Sequence, residues 1–322
     1  MRVVVVGGGT GLSTLLRGLK TFPCDIDAIV TITDEGGSSG ILREELNVPP
    51  PGDIRNNLVA LANDEDTLSQ VFNYRFRNGT LSGHPVGNII LAALTKITGN
   101  FAEAVSKMSD ILAIKGRVLP VSNDMARLIA RFEDGSIIKG ETQIVEYGKK
   151  TFRKITELKL TQPITLNPAA KEAIEKADVL VLGPGSLYTS IIANLIVEGF
   201  SQVVASTVAP KIYIANIMTQ PGETHNYTLK DHVQEIERYL GTRVDYIVHS
   251  FPPMEPVILE KYRLKGSVPV ENDLLETERR IIQGHFSSIV LDEDYRIRHD
   301  SLLLAKAIFE LSEASVNKIV MG

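Results

Sequence analysis

Apolar runs that stop at glycine recur along this chain. Arg2–Val6 stops at Gly7-Gly8-Gly9-Thr10-Gly11, and Ala28–Thr33 stops at Asp34-Glu35-Gly36-Gly37-Ser38-Ser39-Gly40. Ala177–Leu182 stops at Gly183-Pro184-Gly185-Ser186, and Lys211–Ile217 stops at Met218-Thr219-Gln220-Pro221-Gly222-Glu223. These runs do not alternate, as expected of strands buried on both faces of a parallel sheet. Between them, Leu12, Leu15, Leu16 and Leu19 recur at helical spacing. The same alternation predicts helices over 168–176, 187–197 and 229–240 and strands over 177–182, 211–217 and 244–248. Short strands near 279–291 and a helix near 301–313 are expected in the tail. Residues 66–112 read as helical pieces broken at Ser82-Gly83-His84-Pro85-Val86-Gly87-Asn88.

The fold class that follows is α/β, a Rossmann-like, mainly parallel sheet flanked by helices. Two segments depart from it. Thr33–Gly52 is a long polar loop without a period, a type of connection that is usually functional, and Asp53 is placed to cap the helix after it. From 116 to 160 the runs shorten to Arg117–Val121, Leu128–Phe132, Ser136–Lys139 and Ile155–Leu160, with Asp134-Gly135 as a hairpin signal. This reads as a small β-rich insert within a single domain spanning 1–322. In a parallel sheet all strand carboxyl ends face one rim, where ligands bind. Four glycine-rich loops therefore predict one phosphate-friendly site.

Composition narrows the partners. The 322 residues carry a net charge of −5, which argues against a nucleic-acid partner. An anionic ligand is still allowed, because backbone amides at helix N-termini bind phosphate without net positive charge. The single cysteine, Cys24, permits no intramolecular disulfide and reads as a small buried hydrophobe. No run reaches the about 18–20 apolar residues of a membrane span, and no signal-peptide pattern opens the chain. A cytoplasmic location is expected.

The glycine loops are individually ambiguous. Gly7–Gly11 opens a helix after a strand, but Leu12 stands where the dinucleotide fingerprint needs glycine, and no Gly-Lys-Ser/Thr follows. Asp34 and Asp53 are either ligands of a hard cation such as Mg²⁺ or helix caps. Arg43 and Arg55 are either bidentate phosphate clamps or surface charges. Asn56 and Asn57 either reach a base or sugar hydroxyl or finish a turn. Ser186 caps the next helix, contacts phosphate, or both; Tyr188 and Thr189 follow in its first turn, facing the crevice. Glu223 is a general base or a solvated carboxylate, and His84 a proton carrier or a turn residue. His225, His232, His249, His285 and His299 show no metal-ligand spacing.

Taken in order, Val-Val-Gly-Gly-Gly-Thr-Gly-Leu-Ser, Thr-Asp-x-Gly-Gly-Ser-Ser-Gly, Pro-Pro-Pro-Gly-Asp-Ile-Arg-Asn, Ser-Gly-His-x-x-Gly-Asn, Gly-Pro-Gly-Ser-Leu-Tyr-Thr-Ser and Asn-Ile-Met-Thr-Gln-Pro-Gly-Glu-Thr form a specific set. Nearly end to end, the chain resembles the bacterial gluconeogenesis-factor (YvcK-like) group within the superfamily of 2-phospho-L-lactate transferase, CofD. For that group the resemblance implies a UDP-sugar ligand such as UDP-N-acetylglucosamine and a regulatory role in cell shape and growth on gluconeogenic carbon. It also implies a protein partner in wall-precursor synthesis. For the transferase branch it implies Mg²⁺-dependent transfer of a phospholactyl group from a GDP-linked donor to a deazaflavin. Glu35 stands where the gluconeogenesis-factor branch commonly has a second aspartate, a departure that bears on any paired-aspartate metal site. The ligand-binding residues implied are Gly8, Gly9, Thr10, Gly11, Asp34, Gly36, Gly37, Ser38, Ser39, Asp53, Arg55, Asn56, His84, Asn88, Gly183, Gly185, Ser186 and Asn216. The resemblance adds Tyr262, to stack on uracil, and Arg298, to pair with diphosphate. Asp34 and Asp53 are the implied metal ligands. Oligomeric state is left open, a homo-oligomer included.

Overall fold

The computed structural model describes residues 1–63, 67–253, 255–274, 280–291 and 295–321. Positions 66 and 279, where two of the expected segments begin, lie outside the described residues. The chain opens β1 (Arg2–Gly7), α1 (Gly9–Leu19), β2 (Asp25–Val30), as its apolar runs predict. It continues α2 (Gly37–Leu46), α3 (Gly52–Leu61), α4 (Thr67–Asn73), α5 (Val86–Thr98), α6 (Phe101–Leu112) and β3 (Arg117–Pro120). Next come β4 (Leu128–Phe132), β5 (Ile137–Lys139), α7 (Glu141–Thr151) and β6 (Ile155–Leu160). Then follow α8 (Pro168–Glu175), β7 (Val179–Leu182), a π-helical segment Leu187–Ile192 running into α9 (Ala193–Leu195), α10 (Phe200–Ser206) and β8 (Lys211–Ile214). The last part is α11 (Leu229–Leu240), β9 (Tyr246–Ser250), α12 (Pro256–Leu264), β10 (Ile281–Gly284), β11 (Ser287–Leu291), β12 (Tyr295–His299) and α13 (Ser301–Met321).

A seven-stranded sheet in the order β10-β9-β8-β7-β1-β2-β3 forms the centre. Every pairing in it is parallel. Val3, Val4, Val5 and Val6 are wholly buried, as are Val179–Leu182. This two-sided burial is why those runs carry no polar alternation. Helix α1 buries Leu12, Leu15, Leu16 and Leu19, each worth roughly 1.5–3 kcal/mol against exposure. Cys24 is buried and free. Among the described residues no helix is long and apolar enough to cross a membrane.

Three expectations need correction. Arg117–Pro120 belongs to the main sheet as its edge strand, paired with β2, and not to the insert. The insert is the antiparallel sheet β5-β4-β6, with the Asp134-Gly135 turn between β4 and β5, and it carries a helix, α7, with no expectation in the sequence reading. The supposed loop Thr33–Gly52 contains α2; its short glycine- and serine-rich start hid the helical period.

Helix α13 lies across α1 at Gly18, where a Cβ would overlap the Ser301 carbonyl oxygen and sit 2.6 Å from the Ala305 Cβ. Gly18→Ala is expected to cost on the order of 1–3 kcal/mol through overpacking, read as a lowered midpoint in thermal melts. An unchanged midpoint would show that α13 yields without cost.

Candidate functional site

Strand β1 sits between β2 and β7, and from it the chain order runs outward in both directions, so the topological switch point lies between β1 and β7. At such a point of an open parallel sheet, ligands bind in a crevice outside the strand carboxyl ends. Here the crevice is a cavity of about 1220 Å³ at the carboxyl ends of the strands. Gly8, Gly9, Thr10 and Gly11 line it after β1, Gly185 and Ser186 after β7, and Asn216 after β8. Asp34 and Asp53 line it from the loops around α2 and α3, and Tyr262 and Arg298 from α12 and β12.

The β1 glycines serve close approach of backbones. A Cβ on Gly8 would lie 2.6 Å from Asp53 Oδ2 and 2.7 Å from Thr31 Cγ2. One on Gly11 would lie 2.7 Å from the Pro184 carbonyl oxygen. The loops after β1 and β7 therefore touch, and the N-terminus of α1 opens at their junction. No side chain of Gly8 can cap α1; the Asp53 carboxylate accepts from the Gly9 N–H instead. Arg298 reaches across from the C-terminal hairpin β11–β12, donating from Nη1 to Thr10 Oγ1 at 3.0 Å. Tyr262 is fixed beside it, its hydroxyl accepting from the Ile297 N–H at 2.8 Å. Tyr262 packs on a small apolar cluster of Ile217, Met218, Ile258 and Ile297, of which Ile217, Met218 and Ile297 line the cavity.

Several predicted residues have other duties. Asp53 lies in the first turn of α3 and does not cap it; Pro51 holds that position. Asp34 does not cap α2; its Oδ1 accepts from the Gly36 N–H at 2.8 Å in the turn before the helix. Ser186 precedes the π-helical segment without capping it, its hydroxyl accepting from Gln220 Nε2 at 2.9 Å. The cap there is Glu223, which accepts from the Tyr188 and Thr189 N–H groups at 3.1 and 3.2 Å and from Thr189 Oγ1 at 3.0 Å. Glu223 is thus buried, not solvated; burial pushes its pKa up, and its carboxyl oxygens already satisfy that helix N-terminus. Asn216 donates to the Gly185 carbonyl at 3.0 Å, holding the β7 and β8 loops together, while its Oδ1 is buried with no partner among the described residues. Thr189 lines the cavity, but Tyr188 points away from it, its hydroxyl 2.8 Å from that of Tyr227.

A second group of predicted residues does not line the cavity. His84 Nδ1 is 2.8 Å from Ser38 Oγ, and Asn88 Nδ2 donates to the same hydroxyl at 3.1 Å, all three residues being buried. Ser39 Oγ accepts from the Gly52 N–H at 3.0 Å and ties the start of α2 to the start of α3. Arg55 is buried, donates to Asn56 Oδ1, and leaves its Nε without a partner among the described residues. Asn57 closes a helical turn on the Asp53 carbonyl at 2.7 Å. Gly183 continues the sheet ladder to Val6, and Gly36 and Gly37 lead into α2. Arg43 is no clamp at this cavity, since it donates to the Ala126 carbonyl at 2.7 Å and lies 3.6 Å from Glu35.

Acidic groups concentrate on the α3 side. Burial, and after it the neighbouring Asp34 carboxylate, push Asp53 up to about 7. Glu141, which accepts from the Glu35 N–H at 2.9 Å, is pushed up to about 9 by burial and then by Asp34. Arg55 is pulled down to about 10 by burial, with Asp34 and Asp53 opposing the shift. Asp34 and Asp53 are hard oxygen donors of the type Mg²⁺ takes, with water completing its shell, and a dication would relieve their repulsion. No group of three or more metal-type side chains is gathered among the described residues. Glu141, Val145, Lys149 and Phe152, all on or ending α7, line the cavity without having been foreseen. Their only signal would have been the helix itself, and the β-type runs around it masked that.

The family model "2-phospho-L-lactate transferase CofD" matches residues 3–287. The chain belongs to the CofD family. It is 54% identical over 317 residues to the "Putative gluconeogenesis factor" of Thermotoga maritima, covering 97% of this chain and 99% of that one. It is 43% identical over 312 residues to the "Gluconeogenesis factor" of Bacillus subtilis, covering 96% and 98%. A crystal structure of a UPF0052 family member from Bacillus halodurans superposes with a TM-score of 0.88 at 46% identity, covering 96% of this chain and 99% of that one.

Asp53 holds its proton more tightly folded than unfolded. Between its ordinary 3.8 and about 7 the folded chain therefore binds more protons, and stability falls as pH rises through that window. Asp53→Asn is expected to flatten this fall and to melt above the wild type at pH above 7. Parallel melting-temperature profiles for the two proteins would refute the assignment.

Proposed function

We propose that this protein binds a nucleotide sugar of the UDP-N-acetylglucosamine type and acts as a regulator of growth on gluconeogenic carbon and of cell morphogenesis. The carrying observation is Arg298 seated on Thr10 at the open N-terminus of α1. A guanidinium and a helix N-terminus meet there, the two elements that recognise a diphosphate. Tyr262 stands in the same wall and offers a ring to the uracil. The names of the relatives support the link to gluconeogenic carbon. Gly8–Gly11, Gly185, Ser186 and Asn216 form the cradle in this reading, in a cytoplasmic protein whose ligand state is passed to a partner in wall-precursor supply.

Titration calorimetry against UDP-N-acetylglucosamine, UDP-glucose, GDP and NAD tests it. Uridine nucleotides are expected to bind and NAD is not. Arg298→Ala should weaken UDP-N-acetylglucosamine about tenfold or more, the scale of a charge-assisted hydrogen bond. Absence of uridine nucleotide binding ends this reading.

A second reading, a phospholactate-type transferase, is favoured by the electrostatic pairing of Asp34 and Asp53. The two carboxylates would hold Mg²⁺, which would supply charge neutralisation at a GDP-linked donor. Release of GMP in the presence of that donor and a deazaflavin, lost in Asp34→Asn, would establish it. Turnover that survives in both Asp34→Asn and Asp53→Asn would remove the metal assignment.

A further inference from the structure

Phe152 ends α7 in the left-handed region, φ 57° and ψ 21°, its N–H donating to the Gly148 carbonyl at 2.8 Å. That position suits glycine or asparagine, and a bulky side chain there is a conformational outlier. Its ring is 58% exposed, so burial does not offset the backbone cost. It lines the cavity with Lys149 one turn earlier, and it tilts against the His225 ring at 4.9 Å between centroids. Lys149 is exposed and has no ion pair among the described residues, and His225 Nδ1 is buried there without a partner. The other positive-φ residues that are not glycine among those described are Asn47, Ala113 and Asn226, all small. Strain kept at a cavity wall points to function.

The cavity is also larger than the roughly 300–1,000 Å³ of a single small-ligand pocket, at about 1220 Å³. The wall carrying Tyr262 also bears the cations Arg263, Lys265 and Arg298; the α7 wall provides a second ring, Phe152, with its own cation, Lys149. We infer that Phe152 and Lys149 on the cavity wall, with His225 packed against the Phe152 ring, form a subsite for the pyranose carried on the nucleoside diphosphate. The apolar C–H face of the sugar lies on the Phe152 ring, and a hydroxyl or acyl oxygen accepts from the Lys149 ammonium. This rests on the nucleotide-sugar reading and assigns sugar selection to the insert.

Two measurements on Phe152→Asn and Lys149→Ala decide it. Phe152→Asn removes the strained ring and keeps a residue that accepts φ above zero, so its melting temperature should equal or exceed that of the wild type. A clear drop would mean the ring only fastens α7 to the loop at His225, and would overturn the inference. Calorimetry then compares UDP with UDP-N-acetylglucosamine. The ratio of the sugar nucleotide's Kd to that of UDP should rise about tenfold in Phe152→Asn and severalfold in Lys149→Ala. An unchanged ratio in a wild type and variants that all bind UDP refutes the sugar subsite alone. A wild type that binds no uridine nucleotide refutes both readings together.

Discussion

Everything at the site depends on two backbones meeting at the switch point of the sheet. Strands β1 and β7 are paired from Val3–Val179 to Val6–Leu182, and the loops that leave them stay in contact at Gly11 and Pro184. Gly8 allows the same closeness toward Asp53 and Thr31. With these contacts made, the N-terminus of α1 faces the cavity, and its N-cap residue, Gly8, has no side chain to cap it. Asp53, from a different helix, takes the Gly9 amide. A side chain at Gly11 would push against the Pro184 backbone of β7's loop, and one at Gly8 would displace the Asp53 carboxylate and the Thr31 methyl.

The two helix N-termini at the rim have opposite electrostatic fates. The one following β7 is neutralised from within by Glu223, whose buried carboxylate takes two backbone amides and a hydroxyl. At the one following β1, Asp53 takes only the Gly9 amide, and the Arg298 guanidinium stands beside it on Thr10. The carboxyl groups of Asp34, Asp53 and Glu141 gather on the neighbouring wall, where burial and then the Asp34 charge push Asp53 and Glu141 toward their protonated forms. The cavity is thus polarised, with a cationic, amide-rich side at Thr10 and Arg298 and an acidic side at Asp34, Asp53 and Glu141. The family model bears the name of 2-phospho-L-lactate transferase, and the relatives reported above are named gluconeogenesis factors.

Much of the frame was legible in sequence. Val3–Val6 and Val179–Leu182 announce buried parallel strands because residues covered on both faces need no polar alternation. Helix α11 starts and stops where its pattern does, because Thr228 and Asp231 form a capping box and Gly241 ends it. The α2 and α7 helices were not legible. Gly37-Ser38-Ser39-Gly40 reads as a turn, and α7 lies between β-type runs, so local preference points away from helix in one and is drowned in the other. Arg117–Val121 carried a true strand signal, but periodicity cannot say which sheet a strand joins.

The sequence by itself determined the sheet, the glycine loops and the family, because burial on both faces and tight turns demand particular residue types at particular spacings. Tertiary structure alone decided which of the candidate groups share a cavity. It brought Arg298 to Thr10 across nearly the whole chain, since hydrogen bonding through space has no counterpart in spacing. It turned Arg43 toward Glu35 and Ala126, and withdrew His84, Asn88 and Ser38 into a buried network of their own. It also placed Lys149 and Phe152 on a wall that no motif announced. The glycine loops therefore mark the rim of the crevice, while the residues around it are chosen by folding, because only packing determines which distant side chains converge there.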